Sequence, residues 1–148
     1  MEDVVISIRS EQYGSGDEQD SVDFVTDGLY MYDDGVGCLS YMESEVTGLE
    51  GTRTSVMVMP DKVVVDRDGM ITSRMIFQEG SKLSFQYNTP YGMATLSMNT
   101  RHIFKDFNAD GGQLKIDYVV DVEHAVVSRN LFKLTVSKQK QVKVNFNV

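Results

Sequence analysis

The stretch QLKIDYVVDVEH, residues 113–124, alternates almost perfectly. Leu114, Ile116, Tyr118, Val120 and Val122 fall on one face, while Lys115, Asp117, Asp121 and Glu123 fall on the other, with Val119 the single exception. A period of two over this length specifies a strand with one face buried and one face wet. The pattern recurs along the chain: Leu83, Phe85 and Tyr87 oppose Ser84, Gln86 and Asn88; Ala94, Leu96 and Met98 oppose Thr95, Ser97 and Asn99; and Phe132, Leu134 and Val136 share a face near the end. No segment carries a capped helical stripe. The chain reads as all-β.

Turn chemistry separates the runs. DDGVG at 33–37 and DRDG at 66–69 are Asp-Gly hairpin signals. TPYG at 89–92 places Pro second and Gly fourth, as a type I turn does. EGSK at 79–82 and NADGG at 108–112 complete the set, and EQYGSGDEQDS at 11–21 reads as one long polar loop. The expected strands lie near 2–9, 22–32, 36–46, 52–59, 61–67, 70–78, 82–89, 92–105, 113–123 and 127–137, the two around residue 60 being readable as one bent strand. Short connections make sequence neighbours antiparallel. An open sheet of this many strands exposes its edges, and closure removes them. The expectation is a single antiparallel up-and-down barrel of about 8–10 strands, a size that holds side chains or one small ligand. It occupies residues 1–138. Residues 139–148, with Val142, Val144, Phe146 and Val148 alternating, form a C-terminal extension available as an extra edge strand or for docking on a partner chain.

At 148 residues, 41% of them apolar, the chain is long enough for one domain with a real core. No run approaches the roughly 18–20 apolar residues of a membrane-spanning helix, and MEDVVISIRS reads as a strand rather than a secretory signal. The single cysteine, Cys38, excludes an internal disulfide and fits a reducing compartment. A cytoplasmic protein is expected. The net charge of −8 argues against nucleic acid, which needs clustered cations. Residues 1–50 are strongly acidic, with Arg9 their one base. After Glu123 there are no acids, and Arg129, Lys133, Lys138, Lys140 and Lys143 follow. This segregation suits pairing between the first and last strands; a basic patch for an anionic ligand is the sharper alternative.

Four segments together, YMESEVTGLEGTRT, IFQEGSKLSFQYNTPYG, DGGQLKIDYVVDVE and VSRNLFKLTV, resemble the DUF1934 or YwiB-like family of uncharacterised bacterial proteins. The resemblance runs from about Val4 to Val136. It implies a calycin-like, lipocalin-like barrel and carries no activity with it. The segment after Lys138 looks like an addition to the family pattern.

Several constellations are candidates for chemistry. Glu43 and Glu45, if on one strand face, stand roughly 6.6–6.8 Å apart, within the roughly 6.5–9.5 Å that inverting glycosidases use. The same spacing is common on solvated strands. Parity links these acids to Leu39 and Tyr41; if Tyr41 points inward, both acids enter the barrel mouth. A buried acid there needs a donor, and Arg53 and Arg74 are the nearest candidates. Asp106, Asn108 and Asp110 match the opening of a calcium loop, but Asp117 stands where the bidentate Glu belongs and strands flank the loop, so a hairpin turn explains them as well. Cys38, His102 and His124 share no ligand spacing, although either histidine has the chemistry of a haem axial ligand. Tyr30, Tyr41, Phe77, Phe85, Tyr87 and Tyr91, with Met57, Met75 and Met98, suit either a pocket lining or a filled core.

The expected function is a non-catalytic module binding a small molecule in the open end of the barrel. Its expected binding residues are Glu43, Glu45, Arg53, Arg74, Tyr41, Tyr87 and Tyr91. Two alternatives are a filled structural or regulatory barrel acting through its surface or as a homodimer, and a hydrolase or isomerase using Glu43 and Glu45. No cofactor, metal, nucleic acid or membrane partner is implied.

Overall fold

The computed structural model describes residues 1–14, 19–122 and 125–139, with the side chains of 125–127 excepted. Ten strands follow one another: β1 (Glu2–Gly14), β2 (Gln19–Asp33), β3 (Val36–Met42), β4 (Arg53–Val58), β5 (Val63–Asp68), β6 (Thr72–Phe77), β7 (Lys82–Thr89), β8 (Gly92–Asn108), β9 (Gly111–Val122) and β10 (Ala125–Lys138). They close into one barrel in which each strand pairs antiparallel with its sequence neighbours, and β1 pairs with β10. Closure removes the sheet's outer edges except along the β6–β7 seam, where only two residue pairs are in register. It also sets the acidic first strand beside the basic last one: Lys138 Nζ lies 3.7 Å from Glu2 and 3.1 Å from Asp110.

The turns behave as their residues dictate. Asp34 and Gly35 both take positive φ, 49° and 78°, the two left-handed residues of a type I′ hairpin. In the β7–β8 turn, Thr89 Oγ1 accepts from the Tyr91 amide at 3.1 Å and donates to the Gly92 carbonyl at 3.0 Å. Around residue 60, β4 and β5 are separate strands, joined where the Met59 amide donates to the Lys62 carbonyl at 2.9 Å.

Three boundaries differ from the sequence reading. The expected long loop at 11–21 is strand up to Gly14 and again from Gln19, paired from Glu11↔Ser21 to Tyr13↔Gln19; its residues 15–18 lie outside the described residues. β3 ends at Met42, because a one-turn 3-10 helix, Glu45–Thr47, intervenes before β4. Ser44 caps it by accepting from the Val46 amide, and Gly48, at φ 76°, ends it in the left-handed region. Finally, β8 carries a bulge between Thr100 and His102. The extra residue reverses parity, so Met98 and Thr100 face inward before it and Ile103, Lys105 and Phe107 are the less exposed residues after it.

Inside β2–β7 the registers stack residues in rows across the wall. A lower row runs Tyr32, Gly37, Val58, Val63, Phe77, and a middle row Tyr30, Leu39, Val56, Val65, Met75. With Val4, Ile6, Ile8, Met98, Leu114, Ile116, Leu134 and Val136 they form one continuous core. Packing is tight enough that a side chain in place of Gly28 would run into Ile6 and the Ser40 carbonyl. Most of the expected aromatic and methionine lining is therefore filled core: Tyr30, Tyr41, Phe77, Phe85, Met75 and Met98 are buried.

The lower end, where the turns after β2, β4 and β8 gather, is sealed. The Tyr30 hydroxyl donates to the Asn108 carbonyl at 2.6 Å, Phe107 packs on the Tyr30 ring, and Lys105 Nζ donates to the carbonyls of Met59, at 2.6 Å, and Pro60. Among the described residues, no helix is long and apolar enough to cross a membrane.

Candidate functional site at the upper end of the barrel

The next row up breaks the apolar pattern. Tyr41, Thr54, Arg67, Ser73 and Tyr87 are partners in register across β3, β4, β5, β6 and β7. Each sits two residues from an apolar inward neighbour, so the pleat that buries Leu39, Val56, Val65, Met75 and Phe85 turns these polar groups inward too. Glu43, just beyond the end of β3, follows Tyr41 into the same space and is 7% exposed.

Glu43 Oε1 accepts from Thr54 Oγ1 at 2.7 Å, a fully buried hydrogen bond. Arg67 Nε lies 4.0 Å from the same oxygen. That separation allows Coulomb attraction but exceeds a hydrogen bond. Among the described residues, Arg67 Nε is buried without a hydrogen-bond partner, as is Ser73 Oγ beside it on β6; another guanidinium nitrogen, Nη1, reaches the Met75 sulfur at 3.6 Å. Burial, with the Glu43 charge next to it, holds the Tyr41 hydroxyl well above the usual phenol range. Burial likewise raises the Tyr118 hydroxyl, and the Arg67 charge opposes that shift. Both phenols are thus kept neutral and able to donate.

These groups border a cavity of about 160 Å³ lined by Ile8, Ser10, Val22, Tyr41, Glu43, Thr47, Leu49, Arg67, Tyr118 and Phe132. Thr47 and Leu49 come from the β3–β4 connection, which lies over this end. The volume is below the roughly 300–1,000 Å³ of drug-sized sites, so an occupant is small. Beside the cavity, β6 and β7 pair only at Thr72↔Asn88 and Ser73↔Tyr87. Further down the seam a groove opens, lined in part by Arg67, Ser73, Ile76 and Phe85.

The structure brings together only part of the expected set. Tyr41 and Glu43 are in the cavity wall, and Tyr87 is half-buried against the core. Glu45 is exposed in the 3-10 turn; because β3 stops at Met42, it shares no strand face with Glu43, and the carboxylate pair is not assembled. Arg53 is exposed on the outer face of β4. Arg74 is also outside, in a two-pronged pair with Asp66 at 2.8 and 3.2 Å, and Tyr91 is 98% exposed at its hairpin tip. Of the other expected lining residues, Met57 faces outward. The cation that accompanies Glu43 is Arg67, which the sequence reading passed over. Its signal was present: Val63, Val65 and Arg67 alternate along β5, placing an arginine on an apolar face.

Asp106, Asn108 and Asp110 form a hairpin end rather than a ligand cage. The Asp110 amide donates to Asn108 Oδ1 at 2.8 Å, and Asp110 pairs with Lys138. Among the described residues no group of three His, Cys, Asp or Glu side chains is placed to hold a metal. His102 is exposed, 3.9 Å from Glu79, and His124 lies outside the described residues.

The fold and its polar end define a class: a closed ten-stranded antiparallel barrel with a packed lower core and one small polar cavity at the upper end, consistent with a calycin-like label. The chain belongs to the DUF1934 family, since the model described as "Domain of unknown function (DUF1934)" matches residues 6–134. It is 28% identical over 104 residues to the "Uncharacterized beta-barrel protein YwiB" of Bacillus subtilis (strain 168), a match covering 70% of this chain and 72% of that protein. Its fold is similar to the crystal structure of the ywiB protein from Bacillus subtilis, with a TM-score of 0.83 at 23% identity over 94% of this chain and 93% of that one.

Proposed function

We propose that this protein is a non-catalytic binding module that takes a small molecule into the upper cavity. The observation that carries the reading is Arg67. A buried guanidinium nitrogen with no acceptor is costly, and here the side chain that carries it lines a small cavity. A ligand oxygen would supply the missing partner. The apolar groups from Ile8, Val22, Leu49 and Phe132 and the few convergent polar groups are how such pockets are built. A carboxylate-pair hydrolase or isomerase has no support in the geometry, because Glu45 is outside the cavity.

The test is a ligand-observed NMR fragment screen run against wild type and Ser10→Leu, which fills the cavity from β1. Fragments that bind wild type and are lost in Ser10→Leu support the reading. Fragments that bind both equally place any binding elsewhere and sink it.

A second reading, action through the outer surface as a homodimer, is favoured by one feature. Met31, Cys38, Met57, Val64 and Ile76 are register partners across β2–β6 on the outward face, and Met31 and Met57 are 47% and 41% exposed. The occupant of that row would be a second copy of the chain. Light scattering of wild type and Met57→Lys decides: a dimer dissociated by the substitution supports this reading, and a concentration-independent monomer removes it.

A further inference from the structure

We infer that the molecule taken by the upper cavity is uncharged and presents a carbonyl-type acceptor beside an N–H or O–H donor, as an amide or lactam does. This rests on the proposal that the cavity binds a small molecule, and it specifies which kind.

The cavity wall holds one guanidinium and one carboxylate, Arg67 and Glu43, 4.0 Å apart at their nearest atoms. Their charges cancel over the site. A carboxylate or phosphate placed on Arg67 Nε would also stand against Glu43, in a protein whose net charge is −8. A cation placed on Glu43 would stand against Arg67. Either ion would be repelled by the group it does not bind, in a place where burial weakens screening. A neutral molecule meets no such opposition.

The hydrogen-bond inventory points the same way. Among the described residues, Arg67 Nε is a donor with no acceptor. The Glu43 carboxylate accepts from Thr54 Oγ1 and also has the Tyr41 hydroxyl beside it, while a carboxylate has about four lone-pair sites. The pair therefore offers one donated and one accepted bond on neighbouring atoms, the complement of an amide's C=O and N–H. A zwitterion would match both charges. However, the rest of the wall mixes apolar Ile8, Val22, Leu49 and Phe132 with uncharged hydroxyls from Ser10, Tyr41, Thr47 and Tyr118, and bringing two ionic groups out of water into it is costlier than one amide.

The test uses three probes of similar shape, benzamide, benzoate and benzylammonium ion, titrated at neutral pH into the full-length protein while backbone amide resonances of cavity-lining residues are followed. Benzamide is expected to shift those resonances, with benzoate and benzylammonium at least about tenfold weaker. In Glu43→Gln, which keeps the shape and removes the negative charge, the preference of benzamide over benzoate is expected to fall about tenfold. Arg67→Met is expected to abolish benzamide binding. If Arg67→Met fails to fold, Arg67→Lys, which keeps the charge and removes the Nε donor, is expected to weaken benzamide binding by a similar factor. Benzoate binding as tightly as benzamide, or an unchanged preference in Glu43→Gln, overturns the ligand class and leaves the cavity as a binding site. Failure of all three probes to shift any lining residue overturns the class and counts against the cavity itself.

Discussion

The two ends of the barrel each hold a half-buried basic side chain, and they treat it in opposite ways. At the lower end Lys105 donates to the Met59 and Pro60 carbonyls, and Tyr30 donates to the Asn108 carbonyl. Polar groups there are tied to backbone, and they lock turns together around a packed core. At the upper end, among the described residues, Arg67 Nε and Ser73 Oγ have no hydrogen-bond partner, and the Glu43 carboxylate accepts from Thr54 Oγ1. A satisfied buried polar group is structural. An unsatisfied one beside a cavity is a cost that a ligand would relieve. The same alternating strands build both ends, so the contrast comes from which residues occupy the inward positions.

The contrast can be broken or sharpened by measurement. The largest effect is expected in the filled part: Leu39→Ala, at a middle-row position 1% exposed, should cost about 2–5 kcal/mol in urea unfolding. A loss below about 1 kcal/mol would show that the core is looser than the rows suggest. Next, Thr54→Val keeps the shape at the upper end and removes its hydrogen bond to Glu43; a bond to a charged group is worth about 1.5–3 kcal/mol, and a loss of that order should appear in the unfolding midpoint. No change would mean that Glu43 is held by something other than Thr54.

A third test uses pH. Burial raises the Tyr30 hydroxyl at the lower end to about 12 and the Tyr41 hydroxyl at the upper end further still. Tyrosine in the unfolded chain ionises near pH 10. Above that value the unfolded state releases protons that the folded state retains, so stability is complete below about pH 10 and falls as pH rises toward the folded values. Up to about pH 12, where the folded Tyr30 hydroxyl begins to ionise, Tyr41→Phe and Tyr30→Phe should flatten this alkaline decline alike, and above it Tyr41→Phe should flatten it more; equal effects above that value would erase the difference between the ends. The smallest effect is expected at Ser73→Ala. It removes a buried hydroxyl that has no partner, so the unfolding midpoint should stay unchanged or rise slightly. A loss above about 1 kcal/mol would show that the hydroxyl is bonded in solution.

Much of the fold was legible. The alternation in 113–116 and 82–89 matches the burial, with Leu114, Ile116 and Phe85 buried, whereas Val122, expected on the buried face, is exposed. Asp34-Gly35 and Thr89–Gly92 are the hairpins their residues signalled. The site was legible in part. Parity put Tyr41 and Glu43 on one face without deciding whether that face points inward, and the expected partners, Arg53 and Arg74, both lie outside. Across an antiparallel wall, register decides neighbours: Thr54 pairs with Arg67, and Arg67 with Ser73. Glu45 was misplaced because a short 3-10 turn leaves no periodic trace, and the β8 bulge was invisible because one inserted residue looks like ordinary sequence.

The sequence by itself determined that the chain would be an all-β barrel with alternating faces, since period-two patterning and turn residues act locally and need no knowledge of the partner strand. Only the tertiary structure decided which polar residues share the interior. That depends on strand register, on where each strand stops and on bulges, each of which shifts a side chain from one face or row to another by a single residue. Tyr41, Thr54, Arg67 and Ser73 come from four strands and Glu43 from just past the end of the first of them; register makes them neighbours.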